Sequence, residues 1–135
     1  MSRPSFVPIL AALLSSAAFA QNGALDTSFG NGGLVEIPWF PGAAEANAVG
    51  IDSVGRIIVG GDALGLSGNS DFALFRLLTD GTFDVTYASD NLGFRLIDFD
   101  LDGIGGRSND IVNDLAVLGD DSVVAAGEAH FGLAN

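Results

Sequence analysis

The residues of this chain most suited to chemistry form one acidic run. Asp98, Asp100 and Asp102 alternate along the sequence, and Gly103 follows them. Carboxylates at alternate positions can direct their oxygens at one Ca²⁺ ion, and a glycine after them permits the sharp turn that such a loop needs. The run therefore indicates a calcium site on Asp98, Asp100 and Asp102.

The same run has a purely structural interpretation, and both stay open at the level of sequence. An EF-hand is poorly supported, because its loop position twelve is Asn109 here instead of glutamate, and no flanking helices are expected. Asp110 lies close by and can contribute to a site of another kind. In the alternative, Asp98 and Asp100 end a strand, and the aspartate and glycine after them form an acidic turn.

Other groups that commonly carry catalysis are isolated or absent. His130 is the only histidine, and the chain has no cysteine. A catalytic histidine needs a nucleophile and an orienting partner, so His130 is expected to be a surface residue. The glycines at 60–61 and 103–106 are followed neither by Lys-Ser/Thr nor by a helical segment, which excludes phosphate-binding loops. We predict no enzymatic activity and no cofactor apart from calcium.

Two aspartates and one tryptophan have local roles instead. Asp26 and Asp84 stand at equivalent places in a repeated segment, and we expect each to cap a turn with hydrogen bonds to the backbone. Trp39 lies in the apolar loop 37–42 between predicted strands. It is expected to pack against a neighbouring repeat or, as the alternative, to mark a binding surface.

The elements that must position these residues occur twice. Residues 23–30 recur as residues 81–88, and Asp26 falls on Asp84, 58 positions later. Residues 47–61 recur less closely as residues 113–127, at an offset of 66. A period near sixty with strand-like units inside it predicts a repeat architecture such as a propeller.

Short apolar runs between glycine-rich turns predict β-strands. The first repeat has four of them, and three recur in the second: 34–37, 48–51, 56–59 and 71–78, then 94–97, 115–118 and 123–126. Both faces of the strand at 71–78 are apolar, so its sheet needs cover on both sides. No helical segment is expected after residue 20, and we therefore predict that sheet packs on sheet.

The first twenty residues have the pattern of a cleaved signal peptide. Arg3 precedes an apolar stretch from Phe6 to Ala18, and Ala18 and Ala20 are the small residues that flank a cleavage site before Gln21. The apolar stretch is shorter than the ~20 residues that a membrane span needs. We predict an exported protein, whether secreted, periplasmic or on the cell surface, that begins at Gln21.

Composition excludes several classes of partner. Without Arg3, four arginines and no lysine stand against 17 acidic residues. Such a surface repels nucleic-acid backbones and anionic lipid headgroups. The absence of cysteine excludes disulfides as a source of stability in spite of the predicted export.

Several of these segments together resemble the delta-60 repeat family of bacterial exported proteins. The resemblance is carried by residues 25–33, 49–61 and 71–77 and by the turn Asp80-Gly81. It implies tandem repeats of about one propeller blade each, and it brings no catalytic residues with it. The family's Asp-Gly-Lys turn is Ser53-Val-Gly-Arg56 here, and the motif of residues 25–30 is degenerate at residues 83–88.

The sequence thus predicts an all-β chain of propeller-like antiparallel repeats, about two incomplete blades after a signal peptide. Its parts are residues 1–20 as signal peptide, 21–79 as the first repeat, and 80–135 as a degenerate second repeat without its last strand. The predicted function is an exported, non-enzymatic structural or binding module. Its open strand edges are expected to take up other copies or further repeats, or else to leave the isolated chain only marginally folded. The alternative is a fragment of a longer cell-surface repeat protein that binds glycans or other ligands.

Overall fold

The computed structural model describes residues 23–37, 43–65, 68–88, 92–99 and 108–131. Six strands lie in these residues: β1 (Ala44–Ile51), β2 (Ile57–Leu64), β3 (Ser70–Leu77), β4 (Phe94–Ile97), β5 (Ser108–Val117) and β6 (Val123–Phe131). The described part of the chain contains no helix, which confirms the all-β prediction. Within those same ranges, accordingly, there is no apolar helix of the length needed to cross a bilayer.

The strands form two antiparallel sheets. The first has four strands in the order β1-β2-β3-β4, and the second is the hairpin β5-β6. The turn between β1 and β2 closes with a hydrogen bond from the Asp52 N–H to the Arg56 carbonyl, and Gly55 supplies a φ of 85°. The turn between β5 and β6 closes similarly, and Asp121 takes the positive φ there, at 63°.

The hairpins β1-β2 and β5-β6 are copies of one another at the offset of 66 residues. In each, the strand pairing shifts at a bulge, between Ala46 and Ala48 in β1 and between Val112 and Asp114 in β5. The asparagines skipped by the pairing are the residues 47 and 113 that begin the second repeated segment. The repeat in the sequence is therefore a repeat of one hairpin with one bulge.

β4 completes the first sheet although it belongs to the second repeat by sequence. It pairs with β3, and Ile97 stands opposite Phe72. The corresponding prediction of a strand at 34–37 is wrong, since this segment forms only an isolated bridge between Asn31 and Leu34. The physical reason is strand pairing. Residues 94–97 lie beside β3 and pair with it, whereas the described residues before Leu34 form turns and provide no strand for residues 34–37 to pair with.

Each face of the first sheet is covered by its own apolar core. Between the two sheets, Phe72, Leu74 and Val112 are buried. On the opposite face, the buried residues Ala73 and Phe75 pack with a set of half-buried side chains: Ile37, Val59, Phe83, Phe94 and Leu96. The expected cover on both faces is present. The second sheet covers one face. The other face is covered in part by residues that belong to no strand, namely Ile37 and Phe83.

Candidate functional site

Three carboxylates come together where the two sheets meet. They belong to Asp71 in β3, Asp98 directly after β4, and Asp110 in β5. Each offers one oxygen, and these oxygens lie within 4.8 Å of one another. Their closeness makes this carboxylate cluster the candidate functional site.

Strand pairing explains how two of the three carboxylates meet. Phe72 pairs with Ile97, and continuing this antiparallel register by one residue sets Asp98 opposite Asp71. The Cβ atoms of residues directly opposite are about 4.5–5.5 Å apart, and like charges there destabilise a sheet. The pairing of β3 with β4 therefore brings together two groups that repel each other when both are ionised.

The second sheet supplies the third carboxylate. The Asn109 side chain accepts a hydrogen bond of 3.1 Å from the Ser70 N–H, which ties the start of β5 to the start of β3. Asp110 follows Asn109, and its Oδ2 accepts a hydrogen bond of 2.9 Å from the Phe99 N–H. The Ser108 hydroxyl lies 3.2 Å from the same oxygen. These contacts fix the Asp110 carboxylate at the junction of the sheets.

The remaining oxygens of the two most buried carboxylates have no partner. Asp110 is 0% exposed and Asp71 is 7% exposed. In the described part of the chain, neither Asp110 Oδ1 nor Asp71 Oδ1 has a hydrogen-bond donor, and neither residue forms an ion pair. Buried polar groups nearly always have a partner, so we expect these two oxygens to bind a cation or a hydrogen-bond donor.

The electrostatics of Asp71 agree with that requirement. Burial raises the pKa of the Asp71 carboxyl above its usual value, and the negative charges of Asp98 and Asp110 raise it further. A cation among the three carboxylates would act in the opposite direction, because it favours the ionised forms.

The structure places one of the three predicted calcium ligands in this cluster. Asp98 belongs to it, whereas Asp100 and Asp102 lie outside the described residues. Asp110 was expected nearby and is a full member. Sequence reasoning missed Asp71, because only the pairing of β3 with β4 brings it close; an acidic residue at the start of an otherwise apolar strand was the available signal.

The repeated aspartates cap turns, as expected. Asp26 Oδ1 accepts hydrogen bonds from the Ser28 N–H (3.0 Å) and from the Ser28 hydroxyl (2.6 Å). Asp84 Oδ1 accepts the same pair of bonds from Thr86. The buried Asp84 also accepts a hydrogen bond of 2.8 Å from Arg76 Nε. The two aspartates thus have the same structural role, and neither belongs to the carboxylate cluster.

Of the remaining single residues, only His130 lies in the part of the chain that the structure describes. His130 Nε2 lies 3.0 Å from a carboxylate oxygen of Glu128, and both side chains are exposed. The structure therefore places this histidine on the surface, as predicted. Trp39 lies outside the described residues, and so do Ala18, Ala20 and Gln21 of the predicted cleavage site.

A second feature is the way in which the two hairpins pack. A Cβ at Gly60 would lie in contact with Val112 and Leu115, and one at Gly50 with Leu115 and Val117. These glycines leave room for the apolar side chains of β5 on the first hairpin. Ile58, which pairs with Gly50, is 1% exposed beneath that layer.

The second hairpin carries the same surface, and in the described part of the chain this surface is exposed. The positions 66 residues after Gly50, Ile58 and Gly60 hold Ala116, Val124 and Ala126. We call these three residues the socket surface. Val124, the counterpart of the buried Ile58, is 53% exposed.

The first hairpin exposes the matching surface at the other end. Val49 and Ile51 are the counterparts of Leu115 and Val117, whose side chains pack on Gly50. We call Val49 and Ile51 the ridge surface, and each is 67% exposed. The two hairpins thus have a head-to-tail contact, and the surfaces that correspond to its two halves are exposed at opposite ends of the pair.

Comparison with known families agrees with this repeat architecture. Residues 55–87 match a family described as a domain of unknown function (DUF5122) beta-propeller. This segment runs from the turn before β2 through β3 to Tyr87. No curated protein and no solved structure matches the chain. The similarity therefore supports a propeller-like repeat over these residues and gives no activity.

Proposed function

We propose that this chain is an exported, non-enzymatic structural and binding module built of delta-60-like propeller repeats. In this proposal its repeats bind further repeats of the same kind, either in other copies or in a longer chain. The predicted signal peptide supports the export. The match to a propeller domain supports a scaffold.

The observation that carries the proposal is the contrast between Ile58 and Val124. The two residues occupy equivalent positions in the two hairpins, yet one is 1% and the other 53% exposed. Burying an apolar side chain stabilises by about 25 cal/mol for each Å² of apolar surface removed from water. A further repeat whose ridge surface covers Val124 would gain the same burial that β5 provides for Ile58.

The geometry of this contact predicts heterologous association. The ridge surface and the socket surface are different patches, so one copy binds the next head to tail and leaves new patches at both ends. Such contacts produce rings if the rotation closes and open arrays if it does not. A propeller is the closed case within one chain, since its blades pack radially around one axis.

Complementary variants test this proposal in the full chain. Val124→Lys disables the socket surface, and Ile51→Lys disables the ridge surface, so each variant alone should be monomeric. An equimolar mixture should form heterodimers and nothing larger, because one ridge and one socket remain intact. Val54→Lys, at an exposed turn valine, is the matched control and should assemble as the wild type does.

Light scattering coupled to size-exclusion chromatography measures the result. Concentration-dependent assembly of the wild type, its loss in both variants and dimers in the mixture would support the proposal. A wild-type chain that stays monomeric at all concentrations would refute association. Variants that remain dimeric on their own would refute the head-to-tail geometry.

A further inference from the structure

We propose that Asp71, Asp98 and Asp110 bind one divalent cation, Ca²⁺, which links the first sheet to the second. This inference is independent of the proposed function, because it concerns a site inside one copy of the chain. It also differs from the site that the sequence indicates, since two of its three carboxylates come from strands on either side of the acidic run.

The first argument is the pairing of buried charge. Two of the three carboxylates are almost fully buried, and each has one oxygen without a donor in the described residues. A buried charge is tolerated when it is paired with an opposite charge or coordinates a metal. Two such oxygens beside a third carboxylate provide several negative charges, and a divalent cation would neutralise most of them at once.

The second argument is size. Calcium binds oxygen ligands at 2.3–2.6 Å, so two ligands on opposite sides of the ion are up to about 5.2 Å apart. The three oxygens of the cluster lie within 4.8 Å of one another, which lets a single calcium ion contact all three. Mg²⁺ demands near-ideal octahedral geometry and loses its water reluctantly, so carboxylates held in place by three strand segments suit Ca²⁺ better.

The third argument is the type of ligand. All three groups are carboxylates, and the hydroxyl of Ser108 adds a further oxygen 3.3 Å from Asp98 Oδ1 and 3.2 Å from Asp110 Oδ2. Oxygen ligands favour calcium, magnesium and manganese, whereas zinc and copper favour imidazole and thiolate. The chain has no cysteine, and its only histidine lies in β6 beside Glu128.

The position of the site predicts its effect. Asp71 lies in β3 and Asp98 directly after β4, two strands of the first sheet, and Asp110 lies in the second sheet. An ion held by all three would join the sheets at a point where their like charges otherwise repel. Calcium should therefore raise the melting temperature of the chain, since a ligand that binds only the folded state stabilises it.

The test uses the full chain, freed of metal with a chelator and then titrated with CaCl₂ or MgCl₂. Calorimetry should show one calcium per chain and weaker binding of magnesium, and calcium should raise the melting temperature. Asp110→Asn should weaken calcium binding at least tenfold while keeping the shape of the side chain. Glu45→Gln, at an exposed carboxylate of β1, is the control and should bind calcium as the wild type does.

One comparison separates a cation site from an ordinary buried aspartate. In chelator, Asp110→Asn should melt no lower than the wild type, because it removes an uncompensated buried charge. In calcium, the order should reverse, because only the wild type gains a ligand. A variant that melts lower in both conditions by the same amount would show a structural role alone and overturn the proposal.

Two further outcomes also overturn it. The first is a wild-type chain with no heat of calcium binding and no calcium-dependent melting. The second is loss of calcium binding in Asp100→Asn while Asp71→Asn and Asp110→Asn bind normally, which would place the ion on the acidic run instead. The wild-type titration decides the first outcome even if a cluster variant fails to fold.

Discussion

The side-chain amide of Asn47 donates a hydrogen bond of 3.0 Å to the backbone carbonyl of Val112. Asn47 is the residue skipped at the bulge of the first hairpin, and Val112 borders the bulge of the second. The bulge therefore aims the asparagine out of its own sheet and at the next one. At the turns, the Ser53 N–H and hydroxyl donate to the carboxylate of Asp121, both at 2.8 Å, and join the hairpins a second time.

Replacement of Asn47 should loosen the contact between the hairpins. Asn47→Ala removes this donor from the carbonyl of the fully buried Val112, which should cost about 1–2 kcal/mol of unfolding free energy. Asn113→Ala is the matched control, because Asn113 is the equivalent bulge residue and is exposed. Chemical denaturation measures both; equal losses in the two variants would contradict a specific role for the Asn47 bond.

Glycine opposite each bulge is a second requirement that the repeat preserves. A Cβ at Gly61 would overlap the carbonyl oxygen of Glu45, and one at Gly127 would overlap that of Ile111. Because these obstacles are backbone, Gly61→Ala and Gly127→Ala should each cost about 2–3 kcal/mol. Gly119→Ala, where a Cβ meets nothing within 4 Å, should change stability by less than about 0.5 kcal/mol. A tolerated Gly127→Ala would show that the second hairpin does not hold its bulge tightly.

Sequence reasoning succeeded where the information is local. The turns at Asp26 and Asp84 follow from an aspartate two residues before a serine or threonine, a short-range pattern of hydrogen bonds. The offset of 66 residues between the two hairpins was visible for the same reason, because asparagine and glycine recur at fixed places in each copy.

Sequence reasoning failed where the outcome depends on distant pairing. The apolar run at 34–37 looks like the run at 94–97, yet only the latter lies beside β3 and becomes a strand. β5 begins at Ser108, seven residues before the predicted start at 115, because its polar first half is held by the junction with β3. Asp71 could not be assigned to the carboxylate cluster for the same reason, since the register of β3 with β4 creates that contact.

Export is tested by the N-terminus of the secreted material. We expect the exported protein to begin at Gln21, because Ala18 and Ala20 are the small residues that signal peptidase accepts before the cut. Ala20→Arg should block cleavage and leave the chain unprocessed, whereas Ala12→Leu keeps the apolar stretch and should be processed normally. Mass spectrometry of the exported and cell-bound fractions measures this. Exported protein that retains Met1 would refute the prediction.

The buried Asp84 should make the fold sensitive to acid. The hydrogen bond from the Thr86 hydroxyl lowers the pKa of Asp84; burial opposes this, and the Thr86 N–H and Arg76 lower it further. Arg56 also lies 3.9 Å from its carboxylate. Since the folded pKa lies below the unfolded value of about 3.9, the stabilisation is complete above the unfolded pKa and is lost as pH falls through the folded pKa.

Asp84→Asn should therefore cost about 1–3 kcal/mol at pH 7, and this difference should shrink as the pH falls below 4. Denaturation curves from pH 7 to pH 2.5 measure it, and Gly119→Ala, which changes no ionisable group, should differ from the wild type by a constant amount. A cost of Asp84→Asn that persists undiminished at the lowest pH would show that the fold requires the hydrogen-bonding pattern of the carboxyl group and not its charge.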